Sequence, residues 1–195
     1  LARTVLVAGT TVQYASTATT SATVTSAMKL TRNEVREAVR TLQNNDAQKI
    51  MSIVDASTGF NTSPINAAFI GIIHGSTLYD LKAETGWIPV EEYASKSDVM
   101  DGEAGALDEV RFLVTSNGST TSSTITVYNT LILAKDYYGI TRISGEALKN
   151  IRKPLGSAGS ADPLDQRSTS GWKATFIAIR LNENFWVRIE HAVSS

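Results

Sequence analysis

A chain of 195 residues can bury a core of its own, as one large domain or two small ones, and its 42% hydrophobic and 19% charged content is ordinary for a soluble globular protein. With 18 basic against 19 acidic side chains the formal net charge is −1, so the composition offers no electrostatic footprint for tight nucleic-acid binding, although it does not exclude enclosing DNA without gripping it. Cysteine is absent, which removes disulfides, thiolate catalysis and cysteine zinc sites. No apolar run reaches the length of a membrane span, and Leu1 in place of Met reads as a processed or truncated chain.

From Thr4 to Ala15 the chain reads as extended, with Val5, Val7, Val12 and Tyr14 flanking Gly9-Thr10-Thr11 in the manner of a hairpin. Ser16 to Ser26 is almost wholly Ser, Thr and Ala. Such a tract has little apolar surface to set against its ordering entropy, so a mobile linker, or an arm ordered only by a neighbour, is expected.

The clearest local signal follows. Thr31-Arg32-Asn33-Glu34 is a capping box, and Leu30 and Val35 stand where a hydrophobic staple needs them. Val35, Ala38, Val39 and Leu42 then repeat at helical spacing, and the pattern fades at Asn44-Asn45. Another face of the same helix carries Arg32, Arg36 and Arg40. Like charges four apart repel by about 0.2–0.5 kcal/mol per pair on an isolated helix. Either carboxylates from another segment or subunit complete this ladder, or it is a solvated face.

Further along, Ala67 to Ile73 suits a buried strand, and Ser76 to Glu84 a helix with Leu78 and Leu81 inward. Trp87-Ile88-Pro89 breaks the chain, and a short helical turn follows from Glu91 to Ala94. Val110 to Thr115 reads as a strand, with a turn at Asn117-Gly118-Ser119. Ile125 to Ile140 is rich in β-branched and aromatic residues, with a break near Asn129. Lys153 to Pro163 is an irregular loop. Trp172 to Leu181 and Phe185 to Val193 read as two last strands joined by a three-residue hairpin at Asn182-Glu183-Asn184. One long early helix, one or two short ones and about seven strands make an α+β pattern.

No constellation of acid, base and nucleophile emerges. His74, Ser76 and Asp80 are close in sequence, but no Gly-x-Ser-x-Gly elbow surrounds the serine, which is better read as a helix N-cap with Asp80 on the outer face. Asp98, Asp101 and Glu103 around Gly102 miss the spacing of a calcium loop, and Gly156 to Ser160 lacks the Gly-Lys-Ser/Thr ending of a phosphate cradle. Asn61-Thr62-Ser63 and Asn117-Gly118-Ser119 match a glycosylation sequon, a pattern common by chance. Trp172, Phe176, Phe185 and Trp186 are spaced as strand residues suited to a core, and His191 shares a strand face with Phe185, Val187 and Ile189. Catalytic, metal and cofactor-binding residues are therefore all expected to be absent.

Several stretches, in order, resemble the major capsid proteins of tailed bacteriophages typified by coliphage N-four. They are Leu30 to Glu34 with Arg40-Thr41-Leu42 and Asn45-Asp46-Ala47; Phe69 to His74 with Asp80-Leu81; Gly102-Glu103 with Gly105; and Val110-Arg111-Phe112. The most specific block is Lys153 to Ser157, Ala161 to Arg167 and Gly171 to Ala174. Gly75, where that family usually has proline, and Asp108-Glu109, where a glycine often precedes Val110, depart from the pattern.

The resemblance implies an α+β, Hong Kong 97-like shell fold with a long spine helix, a peripheral domain and an axial domain. Residues 1–30 would be an extended loop or arm with a Ser/Thr-rich linker, and 31–62 the peripheral domain with its spine helix. Residues 63–150 would be the axial domain, 151–183 a return through the peripheral domain, and 184–195 a C-terminal axial strand. The implied function is a non-enzymatic capsid subunit in a virion, made in the host cytoplasm. It would self-assemble into hexamers and pentamers that enclose DNA without sequence-specific binding, with decoration or scaffolding proteins as further partners and no membrane. Candidate interface residues are Arg32, Arg36 and Arg40 on the helix and Val5, Val7, Val12 and Tyr14 on the hairpin. Two rivals are a secreted carbohydrate-binding β-rich module and a hydrolase using His74.

Overall fold

In the computed structural model, which describes residues 2–95, 99–142 and 148–194, the chain carries three α-helices and twelve strands among those residues. In order they are α1 (Ala2–Val7), β1 (Val12–Tyr14), α2 (Arg32–Asn44), β2 (Phe69–His74), α3 (Gly75–Lys82), β3 (Trp87–Pro89), β4 (Glu103–Leu107), β5 (Val110–Thr115), β6 (Thr120–Ser122), β7 (Thr126–Leu133), β8 (Tyr138–Arg142), β9 (Lys149–Lys153), β10 (Thr169–Lys173), β11 (Phe176–Arg180) and β12 (Trp186–His191). Eight strands form one sheet in the order β1-β12-β7-β2-β5-β4-β3, with β6 added to β7. The β1–β12 and β2–β5 pairs are parallel and the others antiparallel. Two separate ladders, β8 with β11 and β9 with β10, complete a mixed α+β architecture that is mostly sheet.

Helix α2 begins where its capping box predicts: the Glu34 carboxylate accepts the Thr31 backbone N–H at 3.0 Å. Its stripe of Val35, Ala38, Val39 and Leu42, stapled by Leu30, is buried on one face of the central sheet against Phe69, Ile73, Phe112, Ile132, Val187 and Ile189. The helix ends at Asn44, as the polar pair there predicts. With 13 residues it is about 20 Å long, so the long spine that the resemblance implied is a short helix in this chain.

The N-terminal hairpin is not formed. Residues Ala2–Val7 are helical despite their β-branched content, because the carbonyls at the end of this turn meet cations and hydroxyls from elsewhere. Arg180 donates to the Val5 carbonyl (2.9 Å), the Tyr137 hydroxyl to that of Leu6 (2.8 Å) and Arg188 to that of Val7 (2.7 Å). Leu6 and Val7 cover Leu131, Tyr137 and Trp186 on the sheet face opposite α2. Gly9 then passes so close to Trp186 that a Cβ there would lie 1.9 Å from the indole. The Ser/Thr tract is likewise ordered within the chain. Ser16 N–H donates to Glu34 (3.2 Å), Ser21 bonds to Glu190, a 3₁₀ turn spans Ser21–Thr23, and Val24 is buried beside Val127 and Ala192.

Three further expectations change. Trp87–Pro89 is an edge strand, where proline's missing donor faces away from the ladder. Strand β7 runs unbroken through Asn129, whose buried side chain donates to Ser119 (3.0 Å) and Thr121 (3.2 Å); the chain turns instead at Asp136, with φ 61°. The stretch from Trp172 to Leu181 divides into β10 and β11. Asn182 caps a 3₁₀ turn over Glu183–Phe185, accepting the Asn184 N–H at 3.0 Å, and connects strands of different sheets rather than a hairpin.

Candidate functional site

The arginine face of α2 is met first by its own chain. Asp108 occupies the two-residue turn between β4 and β5 with φ 51°, a left-handed conformation that aspartate tolerates, so no glycine is needed there. Its carboxylate takes the Arg32 guanidinium in two-point fashion (Nη2 to Oδ1 2.6 Å, Nε to Oδ2 2.9 Å), with Arg36 at 3.7 Å. The hydrogen-bonded Arg32, with Arg36 behind it, holds the Asp108 carboxyl below its usual range. Arg40 is exposed and has no carboxylate partner among the described residues. Of the N-terminal candidates, Val5 and Val7 sit half-buried on α1, and Val12 and Tyr14 half-buried on β1 in register with Arg188 and Glu190.

The histidine cluster does not assemble a relay. His74, not Ser76, caps α3, its Nδ1 accepting the Ser76 N–H at 3.1 Å. Asp80 is buried rather than outward, and it receives the Ser194 backbone N–H at 2.9 Å. Asp98 of the acidic loop lies outside the described residues. Among those described, no group of three or more His, Asp or Glu side chains is arranged to hold a metal ion.

His191 is fully buried and neutral. Its Nδ1–H donates to the Ala192 carbonyl (2.8 Å), which leaves Nε2 to accept the Thr130 hydroxyl (2.9 Å). Burial pushes its pKa down to about 4. The unfolded chain takes up this proton near pH 6.5 and the folded chain does not, so stability falls as pH drops between those values, by about 3 kcal/mol in all. Urea midpoints measured from pH 7 to pH 4 should show this loss, and His191→Gln should flatten it.

A second buried polar group depends on a bulge. The register of β4 against β5 shifts between Glu103 and Gly105, so Glu103 pairs with Leu113. Without that extra residue Glu103 would oppose Val114 and point to the α2 side of the sheet; with it, Glu103 shares the face of Arg111. The two side chains are fully buried and form a fork, Nε to Oε1 at 2.6 Å and Nη2 to Oε2 at 2.7 Å. Burial alone would raise the Glu103 pKa, but Arg111, the Met100 N–H (3.0 Å) and the Tyr93 hydroxyl (2.8 Å) bring it below the ordinary value.

The most exposed apolar surface lies elsewhere. Every residue of β9 and β10 is exposed, so this two-stranded ribbon is open on both faces. Ile151, Leu155, Leu164 and Trp172 stand in solvent, Trp172 being 77% exposed. The β8–β11 ladder, formed by the stretches before β9 and after β10, exposes Ile140, Ile177 and Ile179. A surface cleft of about 760 Å³ opens between Arg152–Leu155 and Ser168–Ser170. Sequence reasoning placed Trp172 in a core and Lys153 onward in a loop. The available signal was the interleaving of Lys149, Arg152, Lys153 and Lys173 with Ile151 and Trp172, which gives neither strand an apolar face.

No protein-family model matches the sequence, and no curated protein does so either. Solved structures do share the fold. The capsid of Ralstonia phage GP4 superposes with a TM-score of 0.61 at 12% identity, over 94% of this chain and 53% of that one. The capsid asymmetric unit of cyanophage Pam1 gives 0.58 at 16% identity, over 94% and 54%. The capsid of cyanophage P-SCSP1u gives 0.52 at 13% identity, over 95% and 54%. The chain thus has the fold of phage capsid chains and spans about half their length.

Proposed function

We propose that the chain is a structural subunit of a bacteriophage capsid, that it works through contacts between copies, and that it catalyses no reaction. The observation that carries this reading is the pairing of a capsid-type fold over 94% of the chain with a ribbon that leaves apolar side chains uncovered on both faces. A two-stranded ribbon is marginal by itself, and it gains its stability when a neighbour covers it. On this reading the copies form hexamers and pentamers within a virion shell that encloses DNA without gripping particular sequences, consistent with a net charge of −1. Residues 63–150 take the axial place and residues 31–62 and 151–183 the peripheral one, with β1 and β12 joined to the axial sheet. Arg40, together with the solvent side of Arg36, Val5, Val7, Val12 and Tyr14, supplies further contact points. Arg32 is already engaged by Asp108, so its removal affects the monomer as well.

The fold likeness gives the carbohydrate-binding alternative no support. Electron microscopy and sedimentation of the expressed protein test the proposal. Closed particles or ring-shaped capsomers are expected; a monodisperse monomer that binds a glycan array would overturn it.

A further inference from the structure

We infer that the β9–β10 ribbon of one copy docks on the acidic β3 side of the main sheet of a second copy, an inference that rests on the shell reading above. The ribbon is an uncovered surface of mixed character: Ile151 and Trp172 stand in the ladder among Lys149, Arg152 and Lys153, and Leu155 and Leu164 are exposed in the loop between the strands. Its charge identifies the occupant. Residues 149–173 hold five cations against two carboxylates, a net of +3, while the whole chain carries −1, which leaves −4 on the remainder. A cationic arm on an anionic body is complementary to a second copy of itself.

The receiving carboxylates are identifiable. Glu91 and Glu92 lie in the 3₁₀ turn that follows β3, and Asp101 in the turn that precedes β4. None of the three forms an ion pair among the described residues, whereas nearby Glu103 is committed to Arg111. This rim is at the β3 end of the sheet order. The ribbon is reached from β7 and returns to β12, at the other end. Donor and receiver are therefore different patches, and the contact between copies is heterologous, the kind that closes rings or propagates. The four exposed apolar side chains favour protein over nucleic acid as the covered partner, since an interface centre is apolar with charges at its margin.

A charge exchange on the whole chain tests the inference. Lys149→Glu, Arg152→Glu and Lys153→Glu together make a reversed arm, and Glu91→Lys, Glu92→Lys and Asp101→Lys together make a reversed rim. Five of the six positions are exposed and Glu92 is half-buried with no ion pair among the described residues, so circular dichroism and the urea midpoint should stay close to the parent. In sedimentation each variant alone should lose at least nine-tenths of the assembled fraction, and an equimolar mixture should regain most of it as alternating copies. Assembly of the reversed arm at the parent level, while the parent assembles, would overturn the docking and leave the shell reading standing. A parent chain that stays monomeric at every concentration would sink both. Binding of duplex or single-stranded DNA that is lost with the reversed arm, while assembly is unaffected, would reassign the ribbon to nucleic acid.

Discussion

Replacing Arg111 with methionine, or Glu103 with leucine, should lower the unfolding free energy by about 3–5 kcal/mol, among the largest effects available to any single change in this chain. Both side chains are wholly buried, and both carboxylate oxygens are engaged. Oε1 accepts from Arg111 and Tyr93, and Oε2 from Arg111 and the Met100 N–H. Removal of one partner strands a full charge beneath Val54, Ile65, Tyr93 and Ala106, where the only compensation is to deform the sheet or admit water. The double replacement should recover a large part of the loss, since neither charge is then buried alone. It should not recover all of it, because the Tyr93 hydroxyl and the Met100 N–H lose their acceptor, at about 1–3 kcal/mol for each donor left unsatisfied. Urea unfolding of the four members of the cycle measures this coupling. Single variants that unfold at the parent's midpoint would mean that the pair reaches water in the native protein.

Trp186→Ala should cost a similar amount, about 3–5 kcal/mol, while Trp172→Ala should leave stability within about 0.5 kcal/mol of the parent. Trp186 is fully buried, stacks on Tyr137 (ring centroids 5.3 Å apart, planes 13° apart) and donates its indole N–H to Glu183 at 3.0 Å. Gly9 closes over its other side. Because Glu183 also holds Arg180, and Arg180 holds α1, the indole anchors the N-terminal helix and the base of the β8–β11 ladder together. Its loss should therefore open residues 2–9 and 176–183 to proteolysis before the α2 side of the sheet. Trp172, 77% exposed, should report only on assembly. Equal destabilisation by the two changes, read from urea midpoints, would contradict this division.

What the sequence made legible was local and one-sided. The capping box at Thr31 could be read from its end motif, the stripe through Leu42 from burial at helical period, and strands such as Phe69–His74 and Val110–Thr115 from their apolar, β-branched runs. Residues 2–7 and 16–26 were misread because partners outside each segment dictate their structure: three donors from residues 137–188 hold α1, and Glu34 and Glu190 hold the Ser/Thr tract. Composition cannot reveal a hydrogen-bond partner more than a hundred residues away. The bulge at β4 is similar, because a one-residue shift of register leaves no periodic trace, yet it decides which face receives Glu103. The arginine ladder was half legible. Spacing left two readings open, partner carboxylates or a solvated face, and the choice of Asp108 came from a turn whose backbone conformation no sequence pattern announced. The ribbon was missed because none of its residues is buried, so it has no apolar face for a search for cores to find.

The position of β12 between β1 and β7 sets a constraint on biogenesis. During translation β12 leaves the ribosome after every other strand of the main sheet, yet β1 has no ladder partner until β12 arrives, and one edge of β7 stays open until the same moment. A nascent chain is thus unable to complete its fold, or to offer a finished surface to a sibling, before synthesis has passed His191. On the shell reading, that order of strands delays any contact between copies that needs the finished sheet until β12 has joined it.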